Sequence, residues 1–336
     1  MALSGLVIAA LVIGGCSNND TATESSSSDF ETVTIESALG NAVITEKPER
    51  IVTLGMGGSA ETVIALGTIP PVGVEKYAWG GSDDTGYLPW VHEAVTKQGG
   101  ELPEQFTGGT DLNIEAIIAL EPDLILAPPW SGITQQQFDS LNAFAPTVAY
   151  AESPWTITWE DQINVIGKAM GESEKATAEI DKIKSQFAES TAAHPNYADV
   201  SFSFIYNTGP GTLGVFFAEE QRVAMVRALG LQVDPVVYTL TESEGTDSAV
   251  IGLENANLLD KSDLLFTFYS DPANRAEIEA QPAYQAIPPA VARGTVIAPT
   301  EQPFVTGSSM INPLTVPWSL ERYVPMIDEA IAKLNK

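Results

Sequence analysis

The sequence predicts an α/β protein of two Rossmann-like α/β lobes joined by a single long interdomain helix, and three observations carry that prediction. Leu112 to Leu126 is paralleled by Ile251 to Phe266 about 140 residues further on, each copy reading apolar-Glu, one short helix, then Asp and a hydrophobic strand. From Thr32 onward, short β-branched runs alternate with helical stretches, as in a sheet covered by helices. Between the copies, Ala176, Ile180, Ile183 and Phe187 fall at spacings of four, three and four, one apolar stripe on a continuous helix from Glu172 to His194. A helix of about 20 residues is roughly 30 Å long, so the lobes should be held by a stiff rod with a small hinge motion.

At the start of the chain, residues 5–13 form an apolar run too short to span a bilayer as a mature helix but suited to a signal-peptide core, giving a signal peptide over 1–15. The run ends in Ile13-Gly14-Gly15-Cys16, which resembles the bacterial lipobox and makes Cys16 the lipidated residue. Residues 16–31, rich in Ser, Thr, Asn and Asp, are a flexible tether with too little apolar surface to fold alone. That order, anchor then tether then domain, places the protein outside the cytoplasm, lipid-anchored to the cell membrane, where acyl chains contribute about 0.8 kcal/mol per buried methylene.

The N-terminal α/β lobe is expected over 32–158. Val33-Thr34-Ile35 and Ala42-Val43-Ile44 make a hairpin turning at Leu39-Gly40-Asn41. Arg50 to Leu54 is a strand, Gly55-Met56-Gly57-Gly58 a Gly-rich turn, Ser59 to Leu66 a helix closed by Gly67, and Pro71 to Val74 the next strand. The Gly-rich turn lacks the Lys of a phosphate-binding loop and the spacing of a dinucleotide fingerprint, so it reads as the lining of a cleft at a strand's carboxyl end, with Met56 at its tip. A helical segment containing the rod occupies 159–195, and the C-terminal α/β lobe 196–336.

Of the 336 residues, 16 are Lys or Arg and 44 Asp or Glu, a formal charge of −28. Such a chain repels phosphate backbones, which excludes nucleic acid as a partner. Two His and one Cys cannot form an intramolecular disulfide or a His/Cys zinc site.

The ordered set Lys47 to Val52, Ala60 to Gly67, Pro71 to Val74, Glu115 to Pro128 and Gln285 to Pro288, with Tyr323 to Leu334 as a closing helix, resembles the substrate-binding lipoproteins of iron-siderophore ABC importers. The resemblance implies the class III periplasmic binding protein fold, a monomer that captures a ferric siderophore and delivers it to the permease dimer of an ABC importer, with no catalysis and no cofactor of its own. Binders of haem or cobalamin share much of this pattern and remain the alternative. In this family an acidic residue on each lobe docks into the permease, and the resemblance places these on Glu115 and Glu254, which the repeat also pairs. Each would equally serve as a first-turn carboxylate stabilising a helix N-terminus, by about 0.3 to 1 kcal/mol. Relatives that grip hydroxamates often carry an Arg shortly before the first docking glutamate. Here Gly109, Thr110 and Asp111 stand there, which leaves hydroxamate, catecholate and carboxylate chelators open.

A ferric siderophore arrives with its metal already wrapped, so its receptor needs aromatic walls and a few donors rather than metal ligands. Trp79, Tyr87, Trp90, Trp155, Tyr206 and Tyr269 lie in segments expected to be loops at strand ends, with core packing as the competing role for each. Trp130, just beyond the strand Leu124 to Ala127, occupies the place where the family presents a cleft residue. Arg222 is expected either to donate to an anionic chelate or to pair with Glu219 or Glu220. Thr300 to Asn312 is expected to form the opposite wall as a loop, with Phe304 reaching the ligand, while Trp318 belongs to the core. A haem ligand would instead use Tyr77, Tyr87 or Tyr269 axially. Glycoside hydrolysis by Asp83, Asp84 or Glu93 lacks a spaced carboxylate pair.

Overall fold

The computed structural model describes residues 30–55, 57–67, 71–77, 80–128, 132–153, 157–207, 212–243, 246–285, 291 and 293–334. The expected signal peptide, Cys16, the tether up to residue 29, and the expected cleft residues Met56, Trp79, Trp130 and Trp155 lie outside the described residues. Phe30, inside the stretch expected to be tether, is packed: its ring rests on Gly171 and on the main core, where it buries apolar surface.

Alternation of exposed and buried positions makes β1 (Val33–Ser37) and β2 (Gly40–Ile44) a half-buried antiparallel hairpin with Val33 opposite Ile44. Its turn is Ala38-Leu39, one residue tighter than expected, with the Ser37 hydroxyl donating to the Gly40 carbonyl at 2.6 Å. The apolar triplets that follow have no face to give to water and become strands covered on both sides. They form a parallel sheet in the order β5-β4-β3-β6-β7, from β3 (Ile51–Thr53), β4 (Gly73–Glu75), β5 (Glu104–Phe106), β6 (Leu124–Leu126) and β7 (Thr147–Val148). Helices α1 (Ser59–Ala65), α2 (Pro89–Lys97), α3 (Ile114–Ala119) and α4 (Gln135–Asn142) connect them.

One long helix, α6 (Ser173–Ala193), links the halves, and α5 (Trp159–Ala169) precedes it on the first lobe. The two pack tightly, and a Cβ on Gly167 would overlap Ala176. The buried stripe of α6 is the expected Ala176, Ile180, Ile183 and Phe187. One end of the rod is tied to the first lobe through Glu172, which pairs with Lys47 at 2.7 Å and Lys175 at 3.1 Å. The other end reaches the second lobe, where the Thr191 hydroxyl donates to the Ala228 carbonyl at 3.1 Å.

The second sheet runs β11-β9-β8-β12-β13, with β10 also on β8: β8 (Ser201–Tyr206), β9 (Thr212–Phe216), β10 (Gln232–Val233), β11 (Ser248–Gly252), β12 (Leu264–Phe266) and β13 (Val296–Ile297). Its helices are α7 (Gln221–Ala228), α8 (Pro272–Glu279), α9 (Pro282–Gln285), α10 (Gln302–Gly307) and α11 (Thr315–Leu334). The repeat is visible in three dimensions. Asp123, just before β6, accepts the amides of Glu49 at 2.7 Å and Arg50 at 2.9 Å ahead of β3. Asp263, just before β12, accepts the Ser201 amide and hydroxyl, both at 2.9 Å, at the start of β8. Each sheet thus has its reversal of strand order next to an aspartate-latched pair, and the crevice outside the carboxyl ends of such a pair is where open α/β sheets bind ligands.

The short helix expected in the second copy is Leu253–Leu259, a 3-10 helix where the first copy has the α-helix α3. In the first copy the Asn113 side chain caps α3 by accepting the Ala116 amide at 3.0 Å, whereas Gly252 offers no side-chain cap and Asn255 and Asn257 weaken the helix. Thr300 to Asn312 is not a plain loop but contains α10.

Candidate functional site

On the first lobe, the carboxyl ends of β3, β4 and β5 and the starts of α1 and α2 enclose a pocket of about 40 Å³, lined in part by Glu61, Glu75, Tyr77, Tyr87 and Gln105. Glu61 is 3% exposed, and the Trp90 indole N–H donates to its Oε1 at 3.0 Å. Burial pushes its carboxyl up, against the opposing pull of Trp90 and of the Glu61 and Gly58 amides. Burial also raises Glu75, opposed by the amides of Gly55, which donates at 2.7 Å, and Gly109. Gly108 makes room for this residue, since a Cβ there would overlap the Glu75 carboxyl. The Tyr87 hydroxyl donates to the Pro103 carbonyl at 2.6 Å, and the Gln105 amide to the Gly86 carbonyl at 2.8 Å.

The facing wall belongs to the second lobe. Tyr206, at the end of β8, stacks on Phe216 with centroids 4.3 Å apart, and its hydroxyl meets Ser248 Oγ at 2.8 Å. Gly214 permits that stacking, because a Cβ would run into the Tyr206 ring. The Arg222 guanidinium stands 5.0 Å from the Phe216 centroid and 5.3 Å from that of Phe268, and pairs with the buried Glu220 carboxylate. Tyr77 of the first lobe joins the two walls: burial raises its hydroxyl, while the Arg222 charge and the Thr306 and Ser309 hydroxyls pull it down. Asp247, which opens the turn into β11, is pushed up to about 6 by burial and by Glu220, Glu242 and Glu219.

Of the expected cleft residues, Tyr87, Tyr206 and Arg222 line the two walls. The Arg222 alternative is met at the same time by Glu220, while Glu219 pairs with Arg227 instead, at 2.6 Å. Tyr269 is 5% exposed, its hydroxyl 2.7 Å from that of Tyr284, beneath a small concavity that also includes Tyr206 and Asn207. Two expectations are corrected. Trp90 is 4% exposed and packs 5.2 Å from Trp318 of α11, facing inward from α2 rather than into the cleft. Phe304 is 5% exposed and meets Tyr323 edge-on at 4.8 Å, because α10 turns its apolar side to α11 instead of to a ligand. Glu115 and Glu254 are both exposed, each in the first turn of its helix, and neither forms an ion pair among the described residues.

Sequence reasoning missed Glu61 and Glu75. The available signal was a single carboxylate inside the apolar helix run Ala60-Glu61-Thr62-Val63-Ile64, and another directly after a buried strand. Phe268, beyond β12, was missed as well.

A family model described as periplasmic binding protein matches residues 51–303, and the chain belongs to that family. It has the two-lobe class III fold of these proteins, a family of extracytoplasmic substrate binders serving transport. Among curated proteins it is similar to the "Probable siderophore-binding lipoprotein YfiY" of Bacillus subtilis (strain 168), 34% identical over 171 residues, or 50% of this chain; the match spans 48% of that relative's length. Among solved structures it is similar to Streptococcus pneumoniae PiaA in complex with ferrichrome: 27% identity, TM-score 0.79, 89% of this chain and 99% of that one. Staphylococcus aureus SirA, complexed with staphyloferrin B, shares the fold at 22% identity and TM-score 0.65, over 90% of this chain and 99% of that one. No helix among the described residues is long and apolar enough to cross a membrane.

Proposed function

We propose that this chain is the receptor of an iron-uptake ABC importer, capturing a ferric siderophore between its lobes and handing it on chemically unchanged. The observation that carries the reading is the pairing of two walls at the carboxyl ends of aspartate-latched strands, one bearing tyrosines and carboxyls, the other an Arg222 guanidinium set against the adjacent rings of Phe216 and Phe268. Aromatic faces and a guanidinium suit a bulky chelate whose metal is already coordinated. The similarity to a ferrichrome-bound receptor and to a siderophore-binding lipoprotein supports the same reading. The iron is cargo held by the chelator, so the protein needs no cofactor.

Cys16 carries the lipid that holds the protein at the outer face of the cell membrane, and Glu115 and Glu254, exposed at corresponding places on the two lobes, meet the two permease subunits. The protein works as a monomer, since one chain already presents both lobes. The haem alternative is weaker: an axial tyrosinate needs a hydroxyl that gives up its proton, and burial raises Tyr77, Tyr87 and Tyr269 alike. The test is tryptophan-fluorescence titration with ferric hydroxamate, catecholate and citrate chelates, with haem and cobalamin as controls. Saturable quenching by at least one ferric chelate is expected; flat titrations with all of them overturn the reading.

A further inference from the structure

The first-lobe pocket has an unusual balance of hydrogen-bonding groups. Among the described residues, several donors around it turn to protein partners: the Trp90 indole to Glu61, the Tyr87 hydroxyl to the Pro103 carbonyl, the Gln105 amide to the Gly86 carbonyl, and the Gly55 amide to Glu75. The lining is rich in acceptors, the carboxyls of Glu61 and Glu75 and the side-chain carbonyl of Gln105, beside the Thr53 hydroxyl and the rings of Tyr77 and Tyr87. Among the described residues no Lys, Arg or His forms an ion pair with either carboxyl. Arg222, across the cleft, pairs with Glu220.

An ammonium has three donors and no acceptor, which complements such a set, and the surrounding tyrosine faces favour a cation. The space fits that size. At about 40 Å³ the pocket exceeds the roughly 10–15 Å³ that one water-sized group requires, yet it is far too small for an iron-hydroxamate or iron-catecholate centre. The pocket's mouth lies against the cleft, because Tyr77 lines it and also faces Arg222, Thr306 and Ser309 of the other half. An ionised carboxyl is costly here when alone and is stabilised once a cation sits beside it, so this pocket discriminates by charge. Both carboxyls are held in position, Glu61 by the Trp90 indole and Glu75 by the Gly55 amide and the space left at Gly108.

We infer that this pocket takes a primary ammonium arm of the chelate, making the preferred cargo a ferric siderophore with a free amine rather than an anionic one. The inference rests on the receptor reading above. Ferrioxamine B, whose ferric chelate carries one terminal ammonium, and its N-acetyl derivative, in which that charge is removed, are the probes, with neutral ferrichrome alongside. The full chain should bind ferrioxamine B at least tenfold more tightly than the acetylated chelate. Glu75→Gln, which keeps an acceptor for the Gly55 amide, should cut that preference at least threefold, and Glu61→Gln with Glu75→Gln should bring the two chelates within twofold. Circular dichroism and the thermal unfolding midpoint of both variants, measured beside the parent, report an intact fold. Equal binding of the two chelates by the parent protein, or a preference that survives the double substitution, overturns the inference while leaving the receptor reading in place. Failure of ferrioxamine B, its acetyl derivative, ferrichrome and the anionic chelates alike to bind overturns both.

Discussion

The two lobes share a frame and differ in what they hang on it. Both centre on a strand pair latched by an aspartate, Asp123 for β3 and β6, Asp263 for β8 and β12. In the five-stranded sheet of the first lobe all the pairings are parallel, while the second sheet inserts an antiparallel pair, β9 and β11, beside β8. That insertion carries Phe216 and leads into Arg222, so the second wall is a flat aromatic surface with a guanidinium, whereas the first is a small carboxyl-lined recess. A repeated scaffold therefore conserves the latch and frees the strand ends to diverge, and one cleft acquires two chemically opposite faces.

The sharpest test of lobe equivalence is docking. Glu115→Ala combined with Glu254→Ala should abolish uptake of the ferric chelate in cells while leaving its affinity in solution unchanged, and each single variant should retain part of the transport. If one glutamate alone accounts for the whole loss, the lobes do not meet the importer equivalently. The latches come next. Asp123→Ala and Asp263→Ala each remove a carboxylate accepting two hydrogen bonds, and bonds to charged groups contribute about 1.5–3 kcal/mol each before solvent exposure reduces them. Chemical denaturation should show each variant destabilised by about 1–3 kcal/mol, with similar values for the two lobes. A large loss in one lobe and none in the other would break the symmetry.

The smallest effect concerns charge in the second lobe. Asp247 titrates at about 6 in the folded chain against an ordinary 3.8, so the folded state holds its proton more tightly than the unfolded one. Its contribution to stability is therefore lost as pH rises from about 4 to about 6, and stays lost above that. Asp247→Asn should match the parent near pH 4 and exceed it at pH 7 by about 1 kcal/mol, a figure reduced for the solvent that reaches this half-buried group. Thermal unfolding at the two pH values measures it. A variant less stable than the parent at pH 7 would show that the carboxylate is held by contacts stronger than its repulsions.

Much of this architecture was legible because it is written in period and repetition. The stripe Ala176, Ile180, Ile183 and Phe187 could only be a helix face, and the paired Asp-plus-apolar-strand segments could only be repeated units. The cleft was less legible for a physical reason. A tryptophan or phenylalanine near a strand end carries the same composition whether it faces a ligand or the core, and only the rotation of α2 and α10 against α11 decides it, which put Trp90 and Phe304 inside. Glu61 was hidden by its surroundings, since a carboxyl in an apolar run reads as a helix's solvent face until a partner such as Trp90 is found on another element. The 3-10 form of the second repeat reflects the missing cap at Gly252 together with Asn255 and Asn257.

The junction between the halves bears on how the chain matures. Met310 packs among Ile64, Trp90, Val91 and Val95; Trp318 lies on Trp90; and the Thr306 hydroxyl donates to the Gly80 carbonyl at 3.1 Å. The last tenth of the polypeptide thus completes the interior of the first third. An amino-terminal half emerging from the translocation channel cannot finish packing until its distant tail arrives, so a long-range closure governs the folding rate. Trimming that tail would open both lobes at once, since its Tyr323 also packs on Phe266 of β12.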